Sequence, residues 1–385
     1  MALSVKIAFV NDGIYEYASG APEAVGGTER DQWLLARALA ATGWMPKVGV
    51  RYGMKLGKRE NIEGVEYVGI GSGQIFLAWH RFLSSEMPDW LFWESASHLY
   101  GPLVDIAKRL GIRTIFHAAF DTDVEPRRAL SWRKRWWPLY AWGLLRTDRI
   151  FVQHRGQLSK LAPRWRSKAC VLPKVCTTSS CDSYGLSITP HSERTNYVAW
   201  VAMLRQPKRP DLLVEIAKKM PNTRFVIGGG PSLHRSPRGY GERIIEDLRA
   251  LPNVEYVGQV PPQKAEQIIA DAAVLLSTSD IEGFPNTFTQ AWASGTPVVS
   301  LTVDPDNVIK RFGLGAVSGS IDQAIADINA LLDSSKRREE IAIHAQQFVA
   351  ENCSANAVVT LFKRALEGEL TDKPNSGFAN RSGHV

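Results

Sequence analysis

Ser279-Asp280-Ile281-Glu282-Gly283-Phe284-Pro285-Asn286-Thr287-Phe288-Thr289-Gln290-Ala291-Trp292-Ala293-Ser294-Gly295-Thr296-Pro297-Val298-Val299 is the stretch on which the reading of this 385-residue chain turns. It follows the apolar run Val274 to Ser277, turns at Gly283 and Pro285, enters a helical pattern at Asn286 and leaves it at Gly295 for the run Pro297 to Ser300. Strand, helix and strand at that spacing form a βαβ unit of a parallel sheet. A helix that starts at the carboxyl edge of such a sheet directs unpaired N–H groups and the positive end of its dipole outward, toward an anion such as a diphosphate.

The same alternation extends in both directions. Upstream in this half it gives strand Tyr197 to Val201, helix Asp211 to Lys219, strand Arg224 to Ile227, helix Glu242 to Ala250 and strand Val254 to Val257. The N-terminal half repeats it with Lys6 to Val10, Pro46 to Val50, Trp90 to Trp93, Thr114 to His117 and Arg149 to Gln153. Between them, the Ser/Thr-rich stretch Thr177 to Thr195 interrupts the pattern. The expected organisation is a Rossmann-like domain over 1–185 and a second over 196–350. A helix over 351–370 packs back toward the first domain, and 371–385 form a flexible tail. Two doubly wound α/β domains facing each other across a cleft suit a two-substrate reaction.

Composition limits the alternatives. With 44% hydrophobic and 22% charged residues, the chain has the make-up of a folded globular protein. Residues 1–12 read as a first strand rather than a signal peptide, and there is no run of 18 apolar residues, so the expectation is a cytoplasmic protein. Cys170, Cys176 and Cys181 are spaced unlike zinc ligands, and Cys353 stands apart. The net charge of +7 favours anionic partners without choosing among them. The nearest dinucleotide fingerprint, Gly69-Ile70-Gly71-Ser72-Gly73-Gln74, lacks its last glycine and shows no clear following helix; no P-loop or nucleic-acid module is present.

The C-terminal motifs resemble those of the retaining glycosyltransferases of the GT-B fold known as group 1 or family 4. The resemblance is specific over about 198–308 and thinner elsewhere. It implies a nucleotide-sugar donor (UDP-, GDP- or ADP-linked) bound by the 196–350 domain, a saccharide or lipid-linked acceptor bound by the 1–185 domain, and no metal or other cofactor. It also implies roles for residues: Glu282 contacts the transferred sugar; Gly283, Phe284, Pro285, Asn286 and Thr287 form the donor loop; and a second glutamate, here Gln290, meets the ribose hydroxyls. A glutamine still hydrogen-bonds a diol but lacks the charge of a carboxylate. Lys208 matches the family's lysine in Leu204-Arg205-Gln206-Pro207-Lys208, and Arg205 takes the place of its arginine, the two neutralising the leaving diphosphate. Gly229, in a glycine turn, and Val260, in a loop that reads the base through its backbone, complete the donor set.

In the N-terminal half, Gly26 and Gly27 resemble the family's loop near the donor phosphate, with Thr28 as an alternative helix cap. His117, at a strand end, resembles the histidine near the anomeric carbon. Lys208, Glu282 and His117 are thus the candidate catalytic residues. Asp121 orients an acceptor hydroxyl or caps a turn; Asp121 and Asp123 also spell the Asp-x-Asp metal signature of the other large glycosyltransferase fold. Arg127 to Arg149 mixes basic residues with tryptophans, including Arg133, Lys134, Arg135, Trp136 and Trp137. That mixture suits either an anionic membrane surface on the cytoplasmic side or a helix packing its aromatics inward. A surface-polysaccharide or lipopolysaccharide pathway follows from the resemblance alone. Its same-fold rivals are a nucleotide-sugar epimerase, a sugar phosphorylase and an inactive binding subunit.

Overall fold

The computed structural model describes residues 4–20, 26–130, 135–176, 190–191, 193–232 and 236–368. Arg133, Lys134, Cys181, most of the Ser/Thr-rich stretch and the C-terminal tail lie outside them. The chain divides into two compact units, 1–175 with 355–385, and 176–354.

The first unit carries eight strands: β1 Lys6–Phe9, β2 Met45–Val50, β3 Arg59–Ile62, β4 Val65–Gly69, β5 Trp90–Glu94, β6 Arg113–His117, β7 Arg149–Val152 and β8 Ala169–Val171. They are ordered β3-β4-β2-β1-β5-β6-β7-β8, parallel except for the β3–β4 hairpin. The hairpin and β8 went unread in the sequence. Helix Ile75–Glu86 follows the Gly69 to Gly73 cluster, where no helix was expected. Its buried face, Ala78, Trp79, Phe82 and Leu83, recurs at helical spacing, but the glycines before it masked the start. Helix Ala355–Glu367 belongs to this unit: Phe362 stacks on Phe151 with centroids 5.2 Å apart, and Arg149 Nε donates to Ala365 O at 3.0 Å.

The second unit has β9 Tyr197–Val201, β10 Arg224–Gly228, β11 Val254–Gly258, β12 Val274–Ser277, β13 Val298–Ser300 and β14 Gly315–Val317, all parallel in the order β11-β10-β9-β12-β13-β14. From β9 the chain winds outward through β10 and β11, then returns to β12 beside β9 and winds the other way. That reversal opens a crevice at the carboxyl ends of β9 and β12, where ligands of such sheets bind. Helix Asn286–Ala293 is fixed there by Trp292, fully buried among Phe284, Phe288 and Phe348, with its indole N–H on Leu314 O at 3.2 Å.

His191 fastens the start of this unit: its Nε2 lies 2.9 Å from Gly295 O, and Arg338 donates to its carbonyl at 3.3 Å. Burial, helped by the neighbouring Arg194, pushes the imidazole down to about 4 from 6.5, so the ring is neutral and donates to the carbonyl. The unfolded chain takes up a proton near pH 6.5 that the folded chain refuses. The contribution is therefore complete above about 6.5 and is lost as the pH falls toward 4. Urea titrations at stepped pH should show His191→Asn flattening the acid loss of stability across this window by on the order of 1–2 kcal/mol. An unchanged slope would mean that the ring titrates normally in the folded chain.

Candidate active site

The loop after β9 and the loop after β12 meet at the switch point through a short relay. Trp200 Nε1 donates to Thr278 Oγ1 at 3.0 Å, and that hydroxyl donates to the carbonyl of Lys208 at 2.7 Å. Asp280 N reaches Pro207 O at 3.0 Å, closing the same junction. So held, Lys208 Nζ is in direct contact with Glu282 Oε1, both side chains being largely sheltered from solvent. Two candidate catalytic residues 74 positions apart in sequence are brought together here.

Arg205 begins the 3-10 turn Gln206–Lys208 and is tied to it by Lys208 N to Arg205 O at 2.9 Å. Arg209, the next residue after Lys208, turns into the left-handed region at φ 49°. It binds both oxygens of Asp211 at 3.0 and 3.1 Å through Nε and reaches Asp280 at 3.3 Å, so it clamps the loop rather than facing a ligand.

Helix Asn286–Ala293 begins on Pro285 with no side-chain cap hydrogen bond, an N-terminus suited to an anion. Gly283, Pro285, Asn286 and Thr287 line its entry, whereas Phe284 is a core residue against Trp292 and contributes through its backbone. Gly229 is demanded by the protein itself: its φ is +145°, and a Cβ there would collide with the carbonyl oxygen of Ala202 in the loop that leads to Lys208. Val260 sits beside the end of β10, 3.7 Å from where a Cβ on Gly228 would lie. Gln290 Nε2 donates to Glu266 Oε1 at 3.1 Å, across to helix Pro262–Ala270.

Gly26, Gly27, His117 and Asp121 belong to the first unit. Gly26 precedes helix Gly27–Ala40 with φ 120°, and its carbonyl accepts from Tyr17 at 3.1 Å. Thr28 does not cap that helix: its hydroxyl bonds Glu29 at 2.7 Å, and Gly26 occupies the cap position. His117 ends β6 opposite Glu94 of β5, with Nδ1 3.4 Å from Glu94 Oε1. That separation is long for a hydrogen bond, and neither Glu94 oxygen has another partner among the described residues; nor has His117 Nε2. Burial drives the His117 imidazole down to about 4, so the ring is neutral at pH 7, and raises the Glu94 carboxyl well above its usual range. Asp31 and Lys174 pair nearby at 2.7 Å.

The Asp-x-Asp pair is divided between two structural tasks. Asp123 Oδ2 accepts from Ala119 N and Phe120 N at 2.9 and 3.0 Å, closing the turn after β6. Asp121 accepts from His154 at 2.8 Å, Lys160 at 2.9 Å and Gln157 at 3.3 Å; burial raises its carboxyl, but these bonds outweigh that and hold it below the usual range. Among the described residues no cluster of three His, Cys, Asp or Glu side chains could hold a metal ion.

Helix Trp137–Arg146 divides its aromatics. Tyr140 and Leu144 are buried and Trp137 stacks under Arg127 at 4.9 Å, while Trp136, Trp142 and Leu145 are 45%, 46% and 52% exposed beside the exposed Arg135. No described helix is long and apolar enough to cross a membrane.

Residues 187–370 match the family described as glycosyl transferases, group 1. That stretch, just under half of the chain, is what the chain shares with the family. The two Rossmann-like domains are those of the GT-B fold: superposition on sucrose-phosphate synthase from Thermosynechococcus elongatus gives a TM-score of 0.70 at 16% identity, covering 95% of this chain and 99% of that one. Anabaena HepE, crystallised with UDP and glucose, gives 0.68 at 14% identity over 94% and 100%. Among curated sequences, the D-inositol 3-phosphate glycosyltransferases of Mycobacterium leprae and Mycobacterium marinum are 29% and 32% identical over 191 and 190 residues. These alignments take in 46% and 45% of this chain, and the chain spans only 43% and 39% of those relatives' length.

The relay residues Trp200 and Thr278 were missed in the sequence, since a β-strand tryptophan and a threonine at a strand end signal only burial. Thr278→Val removes the hydroxyl that bonds the Trp200 N–H and the Lys208 carbonyl and should cost about 1–3 kcal/mol of unfolding free energy, whereas Thr278→Ser keeps the hydroxyl and should cost under about 1 kcal/mol. Equal losses in chemical denaturation would show that the methyl group, not the hydroxyl, holds the loops.

Proposed function

We propose that this chain is a retaining, metal-independent glycosyltransferase of family 4 type. It moves a hexosyl group from a nucleotide-sugar donor to a saccharide or lipid-linked acceptor, in cell-surface polysaccharide or lipopolysaccharide biosynthesis on the cytoplasmic side of a membrane. The observation that carries the reading is the contact of Lys208 with Glu282 at the switch point, beside the uncapped N-terminus of helix Asn286–Ala293.

The chemistry follows from charge. A nucleoside diphosphate brings more negative charge than the Glu282 carboxylate, so it draws Lys208 onto itself and releases Glu282 toward the sugar hydroxyls. Arg205, Lys208 and the helix N-terminus stabilise the diphosphate as the bond from the anomeric carbon to its oxygen breaks. The acceptor hydroxyl then attacks from the same face, which retains configuration, and its proton passes to the departing diphosphate. His117, neutral at working pH, contributes as a hydrogen-bonding group near the anomeric carbon rather than as a cation.

The names of the relatives add a phosphorylated polyol to the acceptors to be tried. Exposed Trp136, Trp142 and Leu145 next to Arg135 favour contact with an anionic bilayer over full inward packing. If so, Trp136→Ala/Trp142→Ala should abolish co-flotation with vesicles containing anionic lipid; retention of flotation, or its absence in the wild type, would remove the membrane from this reading.

The deciding experiment is a thermal-shift and turnover screen against UDP-, GDP- and ADP-sugars, with and without EDTA. One donor should stabilise the wild type in EDTA. Lys208→Ala should lose that shift, and Glu282→Ala should keep binding the nucleoside diphosphate while losing about 100-fold or more in turnover. A strict requirement for divalent metal would overturn the metal-independent mechanism. Donor consumption without an acceptor product would favour an epimerase, and binding without turnover an inactive subunit.

A further inference from the structure

Glu94 and His117 end neighbouring strands of the first unit and face each other there. β5 and β6 pair in register, so the two residues are Cα partners and send their side chains to the same face of the sheet. The Glu94 side chain is fully buried and the His117 ring nearly so. Polar groups at that depth are normally paired, and an unpaired one costs stability. Here neither carboxyl oxygen of Glu94 nor Nε2 of His117 has a hydrogen-bond partner among the described residues, and Nδ1 stands 3.4 Å from Glu94 Oε1.

The backbone beside the pair adds a second cost. Ser95, directly after Glu94, stands in the left-handed region at φ 74°, a conformation unfavourable for a residue with a Cβ. Its N–H donates to His117 O at 3.0 Å and its carbonyl accepts from the Trp93 indole at 2.8 Å, so the corner is held from both sides. Phe92 packs against the imidazole with ring centroids 5.9 Å apart. The charged groups that face Glu94 serve elsewhere: Asp31 pairs with Lys174 at 2.7 Å, Asp123 closes the turn after β6, and Glu29 accepts from Thr28. Strain and unpaired polar atoms gathered at one strand corner mark a place where geometry is kept at the expense of stability.

A carboxyl beside an imidazole can fix both the orientation and the tautomer of the ring. A bond between Glu94 and Nδ1, in either direction, assigns the ring proton and leaves Nε2 as the nitrogen that points away from Glu94. At 3.4 Å the pair is a few tenths of an ångström too long for that bond, a gap that closes in many catalytic pairs when substrate binds. We infer that Glu94 is a positioning residue for His117, holding the ring so that Nε2 is the atom presented to the reacting sugar. The inference rests on the glycosyltransferase reading above and adds a residue which that reading does not use.

The test follows release of nucleoside diphosphate by the full chain from whichever UDP-, GDP- or ADP-sugar stabilises it in the donor screen. Glu94→Leu should lower kcat about 10-fold or more with the donor KM within about 2-fold, since Glu94 orients a group rather than binding the donor. Glu94→Gln, whose amide can still bond Nδ1, should recover most of that loss. In a His117→Ala background Glu94→Leu should cost nothing further, because its effect passes through the ring. Glu94→Leu should melt no lower than the wild type, since it removes unpaired buried oxygens. Should leucine not fold, Glu94→Met, unbranched and of similar length, repeats the deletion. Wild-type kcat in Glu94→Leu or in His117→Ala, an undiminished loss in the His117→Ala background, no recovery in Glu94→Gln, or a melting point well below wild type in both apolar variants overturns the inference and leaves the donor reading standing. Failure of every nucleotide sugar to bind or react overturns both.

Discussion

The Thr278 hydroxyl, with the backbone bond from Asp280 N to Pro207 O beside it, holds the two functional loops of the second unit at a fixed separation. Thr278 Oγ1 accepts the Trp200 indole N–H and donates to the Lys208 carbonyl, so the chain leaving β12 and the chain leaving β9 cannot drift apart without unpairing a buried group. Trp200 is anchored in the core of the sheet, which makes the loop geometry a consequence of core packing rather than of loop sequence. The contact of Lys208 with Glu282 follows from that anchoring, while the close approach of Gly229 to Ala202 follows from the pairing of β9 with β10.

Topology explains why those loops and not others carry the chemistry. In each unit the winding reverses once, between β1 and β5 in the first and between β9 and β12 in the second. At each reversal two neighbouring strands send their following loops to opposite faces, leaving a gap that neither loop covers. Lys208 and Glu282 lie on the two loops flanking the second reversal. In the first unit, Gly26 follows β1 at the reversal, Glu94 ends β5, and His117 ends β6 one strand further out. The burial of Glu94 and His117, which share one long contact and have no hydrogen-bond partner among the described residues, is a stability cost that the first unit's packing carries at this edge.

What could be read in the sequence was whatever periodicity or a helix-entry signal encodes. Strand β9 and helix Asn286–Ala293 match their expected bounds, because Tyr197 to Val201 is an apolar run and Pro285-Asn286 marks a helix start. The β3–β4 hairpin escaped because Arg59-Glu60-Asn61-Ile62 alternates exposed and half-buried positions at a sheet edge, with little hydrophobic signal. Helix Ser335–Asn352 escaped for a related reason: its buried face is built from Ala342, Ala345, Phe348 and Val349 within a strongly charged segment. Pairings between distant residues, such as Gln290 with Glu266 or Asp121 with His154, have no signature in a single sequence, since they exist only once the sheet brings their helices together.

The three cations Arg205, Lys208 and Arg209 show how the backbone sorts residues that composition cannot. Lys208 and Arg209 are adjacent and equally charged, and in the sequence only position separates them, Lys208 matching the family's lysine and Arg209 reading as a surface or packing residue. The left-handed turn at Arg209 reverses the chain between them and costs about 1–2 kcal/mol for a residue with a Cβ. The three hydrogen bonds that Arg209 makes to Asp211, with Asp280 alongside, offset that strain and use up its charge inside the loop. Lys208, released to the other side, meets the Glu282 carboxylate, which a more highly charged ligand can displace. A glycine at 209 would relieve the strain but remove the clamp to Asp280, so the arginine is retained for what it binds rather than for the conformation it must adopt.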